Sequence, residues 1–207
     1  MTALALLLTC QLLAATPAPP APPVVKGENP AKGVYRFHGE GEIAGPVAPL
    51  LAVVIAYDQQ CRRGCRYTVA SVDRTEILPG ERPGLFYTWS YIDDLLDGSY
   101  FAAVEVKEAD HRTTVHFFTP DEATLARLSD ARHPHEPFFQ FQEGTWTLEE
   151  LPGAAPRTRV TVDIEMRSKS FVVNLLPGQI VERTQKHLLQ IYQYLSAAAA
   201  SPGASGD

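Results

Sequence analysis

The sequence predicts an α+β domain in which an antiparallel sheet packs one face against a long C-terminal helix. Three observations carry that expectation. Residues 157–167 alternate strictly, with Val160, Val162, Ile164 and Met166 on one side and Arg159, Thr161, Asp163 and Glu165 on the other. This is the period-2 pattern of a strand with one buried and one wet face. Residues 177–195 place Val181, Thr184, Leu188, Ile191 or Tyr192, and Leu195 at spacings of three and four, the stripe of an amphipathic helix. Between them in character, residues 66–148 offer short β-branched and aromatic runs bounded by Pro, Gly and Asp. The helix stripe needs an apolar partner, and the strand faces are the only large one available.

Length and charge set the frame. The chain has 207 residues, 45% of them hydrophobic and 20% charged, with a net charge of -6. That is enough apolar content for one real core. The acidic balance argues against nucleic acid or an anionic membrane as a main partner, and no apolar run reaches the ~18 residues of a membrane-spanning helix.

From the N-terminus, residues 3–15 form a short apolar run followed by Thr16-Pro17-Ala18. Residues 1–18 therefore read as a secretory signal peptide, although no Lys or Arg precedes the run. A buried N-terminal helix and lipidation at Cys10 are the alternatives. Six prolines fall within residues 16–30, so 19–32 read as a semi-rigid linker. The domain proper is expected over 33–195, with 196–207 as a frayed small-residue tail. Loss of Cys10 with a leader would leave Cys61 and Cys65, four residues apart. In an exported chain, periplasmic or secreted, such a pair reads as a local disulfide clamping a turn, with a redox pair as the alternative.

Within the domain, Val34–Ile43 reads as a strand, and Pro46–Asp58 as a helix with proline in its first turn. Further strands are expected at Arg66–Val72, Leu85–Ile92, Tyr100–Lys107, Thr113–Thr119, Phe138–Leu148 and Arg157–Arg167. Residues 121–137 read as a short helix and loop, a candidate lid. The closing helix spans 177–195, opened by Leu176-Pro177-Gly178.

No glycine-rich phosphate loop, nucleophile elbow or metal motif is present. His133-Pro134-His135-Glu136 reads as polar loop surface, and Asp93-Asp94 as a solvated turn. No catalytic residue, metal or cofactor is assigned. Aromatic side chains crowd the strands at Phe86, Tyr87, Trp89, Tyr91, Phe101, Phe117, Phe118, Phe138, Phe139, Phe141 and Trp146. Such a set suits an apolar ligand pocket.

The element order resembles the helix-grip fold of START-like domains, the SRPBCC superfamily. The segments that carry the likeness are Glu42-Ile43-Ala44-Gly45-Pro46-Val47, Tyr87–Tyr91 with Asp97–Phe101, Glu143–Glu149 with Thr158–Val162, and Leu175–Val181. Ser99 stands where such chains commonly carry arginine. The resemblance implies a curved antiparallel sheet wrapped around the C-terminal helix, with a cavity between them for a lipid, sterol or aromatic metabolite. Its lining is expected to include Tyr87, Trp89, Tyr91, Phe101, Phe117, Phe139, Phe141, Trp146, Val181 and Leu188. Release would move residues 121–137 or the final helix. Such a carrier is expected to be a monomer whose partner is a hydrophobic small molecule. An aromatase or cyclase using the same cavity is the second expectation, with His116, Tyr87 and Asp93 as inward-facing candidates and His116 within reach of Glu143 or Asp163. A non-catalytic envelope interaction module with a filled core is the third.

Overall fold

The structure, a computed structural model, describes residues 21–69, 72–93, 97–137 and 139–201. The expected signal peptide and Cys10 lie outside the described residues, as do Phe138 and residues 202–207.

The described residues open with two strands, β1 (Val24–Ala31) and β2 (Val34–Ile43), then α1 (Val47–Ile55) and a 3-10 turn (Tyr57–Gln59). Two-residue strands β3 (Gln60–Cys61) and β4 (Tyr67–Thr68) pair in parallel. A meander follows: β5 (Arg74–Pro79), β6 (Leu85–Asp93), β7 (Asp97–Ala109) and β8 (Arg112–Phe118). After α2 (Glu122–Leu128) come β9 (Phe141–Leu151) and β10 (Arg157–Arg167), then α3 (Phe171–Leu175) and α4 (Pro177–Ala200). The eight long strands form one curved antiparallel sheet in the order β1-β2-β10-β9-β8-β7-β6-β5. α4 and α1 pack together across its concave face. This is the expected α+β helix-grip architecture.

Pairing follows the side-chain period. β10 buries Val160, Val162 and Met166 and presents Asp163 to solvent, as its alternation predicts. On β2, Gly39 and Gly41 face α4, and a Cβ at either would meet the Tyr192 ring at 3.2 Å. Their bareness lets the helix approach the strand. Tyr192 then donates its buried hydroxyl to Val160 O at 3.0 Å and packs against Trp146, ring centroids 6.0 Å apart.

Four expectations about boundaries are corrected. Residues 24–31, expected within the linker, form edge strand β1, which pairs with β2 from Val24↔Glu40 to Ala31↔Val34. Its Pro30 falls where the register shifts between Glu28 and Ala31, and an edge strand tolerates proline there because no ladder bond is lost. Of the expected strand at 66–72, Tyr67–Thr68 is the strand among the described residues, while β5 and α3 were not foreseen. The tail at 196–200 instead continues α4. Its alanines are the best helix formers, so the helix outlasts its apolar stripe.

Candidate functional site

A cavity of about 220 Å³ lies between the concave face and α4. The sheet contributes Thr88, Ser90 and Ile92 from β6, Tyr100 and Ala102 from β7, Phe117 from β8, and Gln142 and Trp146 from β9. α4 contributes Ile180, Arg183, Thr184, His187, Leu188 and Ile191, one continuous side of the helix at spacings of three and four. Val54 of α1 and Tyr57 of the 3-10 turn also line it.

The wall is apolar with polar groups set into it. The Thr75 and Ser90 hydroxyls are 3.1 Å apart. Gln60 donates from Nε2 to Val53 O at 3.2 Å, so its amide is held by the end of α1. Burial pushes the Tyr57 hydroxyl well above its ordinary pKa, with the Tyr100 hydroxyl adding to the effect. Burial also raises Tyr100, against the pull of its bond to Ser90. Burial lowers His187 to about 4, so its ring is neutral at pH 7. Both tyrosines are therefore protonated donors, and His187 offers a neutral imidazole.

Four of the ten residues expected to line the cavity do so: Phe117, Phe139, Trp146 and Leu188. The other six lie elsewhere. Tyr87, Trp89 and Tyr91 alternate with the lining residues Thr88, Ser90 and Ile92, so the pleat turns them to the convex face. Phe101, paired with Trp89, goes with them. That face is covered too. Trp89 donates from Nε1 to Pro134 O at 2.9 Å and meets the His133 ring at 5.2 Å. Phe101 meets His135 at 5.8 Å. Tyr87 donates to Glu81 at 2.7 Å beneath the Arg127 guanidinium. The expected lid at 121–137 is thus a cover for the convex face, fastened by backbone bonds between Ser99 and Glu136. His133 is correspondingly buried, not loop surface, with its ring nitrogens 3.1 Å from Glu76 and 3.2 Å from Asp130. Phe141 faces outward under Arg167, and Val181 packs toward β1 at Gly27.

The three candidates for catalysis also lie outside the cavity. His116 sits on the convex face, 3.0 Å from Glu143. Asp163, the alternative partner, instead lies 2.8 Å from His38. Asp93 receives Arg62, which spans from Asp93 Oδ2 to Asp73. Cys61 and Cys65 form the expected disulfide, Cα atoms 5.5 Å apart. It clamps the loop beside Gln60, and Tyr194 pins the neighbouring strand by accepting from Thr68 N and donating to Thr68 O.

Sequence reasoning missed Thr75, Thr88, Ser90, Tyr100, Arg183 and His187. The available clue was the stripe of α4 itself, whose neighbours at 180, 183, 184 and 187 repeat with the same spacing.

No family model matches the sequence, and no curated protein does. Among solved structures, human StAR-related lipid transfer protein 5 is similar at 14% identity and a TM-score of 0.54, covering 85% of this chain and 86% of that one. The Zhui aromatase/cyclase from Streptomyces sp. R1128 is similar at 14% identity and 0.51, over 84% and 98% of the two chains. A START superfamily protein from Mycobacterium smegmatis is similar at 13% and 0.50, over 80% and 97%. These likenesses concern architecture: the chain has a START-like helix-grip fold.

Proposed function

We propose that this domain binds and carries a hydrophobic small molecule in the cavity beneath α4. The carrying observation is the cavity itself: apolar walls around a few fixed polar groups, the ordinary composition of a ligand site. Similar folds bear the names of a lipid transfer protein and of an aromatase/cyclase, which supports an apolar ligand. Volume narrows the class. At about 220 Å³ the cavity is smaller than the ~300 Å³ at which drug-sized pockets begin. A small ring system or a short acyl chain fits; a two-chain lipid or a sterol requires α4 to move outward. Affinity comes from desolvation, at about 25 cal/mol per Å² of apolar surface buried. The Tyr57 and Tyr100 hydroxyls and the Thr75–Ser90 pair orient a carbonyl or hydroxyl on the ligand. Binding is favoured over acid–base catalysis because His187 titrates near 4 and both tyrosines are pushed up, whereas a general base works best near the operating pH.

Export belongs to the same proposal. The N-terminal apolar run and a disulfide, which persists in oxidising compartments, support it. N-terminal sequencing of the mature protein tests that part, and a chain retaining residues 1–18 in the cytoplasm would count against it. The ligand is tested by native mass spectrometry of the purified protein, together with displacement of a bound naphthalene-sulfonate dye. A co-purifying apolar mass and dye release by small aromatic or short-chain compounds are expected. Neither bound mass nor dye binding would end the proposal.

A further inference from the structure

The Cys61–Cys65 bridge joins two anchored pieces of structure, one held by the sheet and one by α4. On the sheet side, Arg62 donates from Nη1 to Asp93 O at 2.7 Å, at the end of β6. Its other terminal nitrogen lies 3.0 Å from Asp93 Oδ2 and 3.1 Å from Asp73 Oδ1. On the helix side, the Tyr194 hydroxyl accepts from Thr68 N at 2.9 Å and donates to Thr68 O at 3.0 Å. Besides the bridge, the pieces share the two residue pairs of β3 with β4, Gln60↔Tyr67 and Cys61↔Thr68. Two backbone bonds flank these, Val69 N to Cys61 O at 3.0 Å and Arg62 N to Val72 O at 2.6 Å. So short a ladder is marginal by itself. The bridge holds the two cysteine Cα atoms 5.5 Å apart, whereas an open chain of that separation extends to about 13 Å. Gln60 and Val72, on either side of the loop, both line the cavity. The two sulfurs differ in access: Cys61 is 4% exposed, and Cys65 is half-buried. Arg63 and Arg66 flank Cys65, both exposed and with no ion pair among the described residues.

We propose that this bridge is a thiol-exchange site, attacked at Cys65 by an anionic dithiol, and that its reduction frees α4 from the sheet edge and releases the cargo. The inference rests on the cavity being a ligand site. The thiolate of the dithiol attacks Cys65 Sγ, the more accessible sulfur, and forms a mixed disulfide as the Cys61–Cys65 bond breaks. Cys61 leaves as a thiolate and takes a proton. The second thiol of the reductant then attacks its own sulfur in the mixed disulfide, and Cys65 leaves and is protonated in turn. Two electrons and two protons pass to the protein, and the dithiol ends as a disulfide. Arg63 and Arg66 draw an anionic thiol to Cys65 and favour the thiolate that leaves there. An oxidising compartment keeps the bridge closed until such a reductant arrives. Once it is open, the short ladder of β3 and β4 is what couples α4 to the anchored Arg62. Closing so short a loop is worth roughly thirtyfold in an opening equilibrium, so α4 lifts that much more often after reduction.

The test uses the full chain with the naphthalene-sulfonate dye bound, oxidised or treated with dithiothreitol. Dye dissociation followed by stopped flow should be at least about tenfold faster after reduction. Cys61→Ser/Cys65→Ser should show the fast rate with or without reductant. Hydrogen exchange read by mass spectrometry should lose protection in β3, β4 and the part of α4 around Tyr194, while β8, β9 and β10 keep theirs. Arg63→Gln/Arg66→Gln should slow reduction by anionic glutathione on the order of threefold and leave reduction by neutral 2-mercaptoethanol unchanged. Equal dissociation rates in the oxidised and reduced protein, with unchanged exchange in α4, overturn the proposal. Loss of protection throughout the sheet on reduction also overturns it, because the bridge would then hold up the whole fold. So does a bridge that dithiothreitol reduces only in denaturant, and equal glutathione rates in the arginine variant overturn the choice of an anionic thiol. Failure of the oxidised protein to bind dye counts against the cavity as a ligand site, and the exchange measurement still decides the fate of the bridge.

Discussion

Ala102 offers a perturbation whose two effects have opposite signs. It lies on β7, 6% exposed, opposite Thr88 of β6, and its methyl faces the cavity. Ala102→Leu adds three carbons, each about the ~30 Å³ share of a water molecule. Roughly 90 Å³ of a cavity of about 220 Å³ is then filled. Burying three carbons would contribute up to about 2.4 kcal/mol at ~0.8 per carbon. Residual packing strain brings the expected gain to about 1–2 kcal/mol. In a domain of this length each kcal/mol raises Tm by about 2–4 °C, so melting should rise by about 2–8 °C. The ligand loses the same space. Three displaced heavy atoms at about 0.5 kcal/mol each amount to roughly 1.5 kcal/mol, or about tenfold in Kd. Thermal melting followed by circular dichroism and titration of the dye measure the two effects on one sample. A variant that melts lower and binds dye as well as wild type would refute the reasoning, because position 102 would then be packed and not open.

Acid should destabilise the fold through His187. Its unfolded value is about 6.5 and its folded value about 4, so its stability contribution is intact above pH 6.5 and is lost as pH falls toward 4. The full loss is about 3 kcal/mol, and His187→Gln should flatten that part of the urea-midpoint profile between pH 7.5 and 4.5; parallel profiles would exclude the assignment. Gly144→Ala should cost about 2–3 kcal/mol in chemical denaturation, because its Cβ would stand 2.3 Å from Phe117 Cζ and 2.8 Å from Asp163 O. An unchanged midpoint would mean that β9 and Phe117 can part. Cys61→Ser/Cys65→Ser opens a loop with a sequence separation of 4 and should cost about 2 kcal/mol, read as a Tm lower by about 4–8 °C; a loss twice that size would give the disulfide a structural role beyond its loop.

Much of the fold was legible because each element's period is a local property. β10 occupies the expected Arg157–Arg167, and α4 begins at the expected Pro177. The failures have a common cause. β6 reads as Leu-Phe-Tyr-Thr-Trp-Ser-Tyr-Ile-Asp, so alternation separates Tyr87, Trp89 and Tyr91 from Thr88 and Ser90 but does not say which set faces the helix. Size suggested that the aromatics did. They face outward because residues 129–137 return to cover the convex side, with Pro134 accepting from Trp89 and His133 against its ring. β1 was hidden by Pro30 and by the prolines that precede it, and only pairing with β2 makes it a strand.

The sequence by itself determined the α+β class and the amphipathic stripe that α4 turns toward the sheet, since each follows from spacing along the chain; the helix-grip order rested on a resemblance. The tertiary structure alone decided which side of β6 and β7 is the inside. It thereby set Thr88, Ser90, Tyr100, Ala102 and His187 into the chamber beside Phe117, Phe139 and Trp146, and left Tyr87, Trp89 and Tyr91 outside it. A period of two fixes that neighbours part company, but the choice of face is made by what packs against each one, and those partners lie far away in the chain.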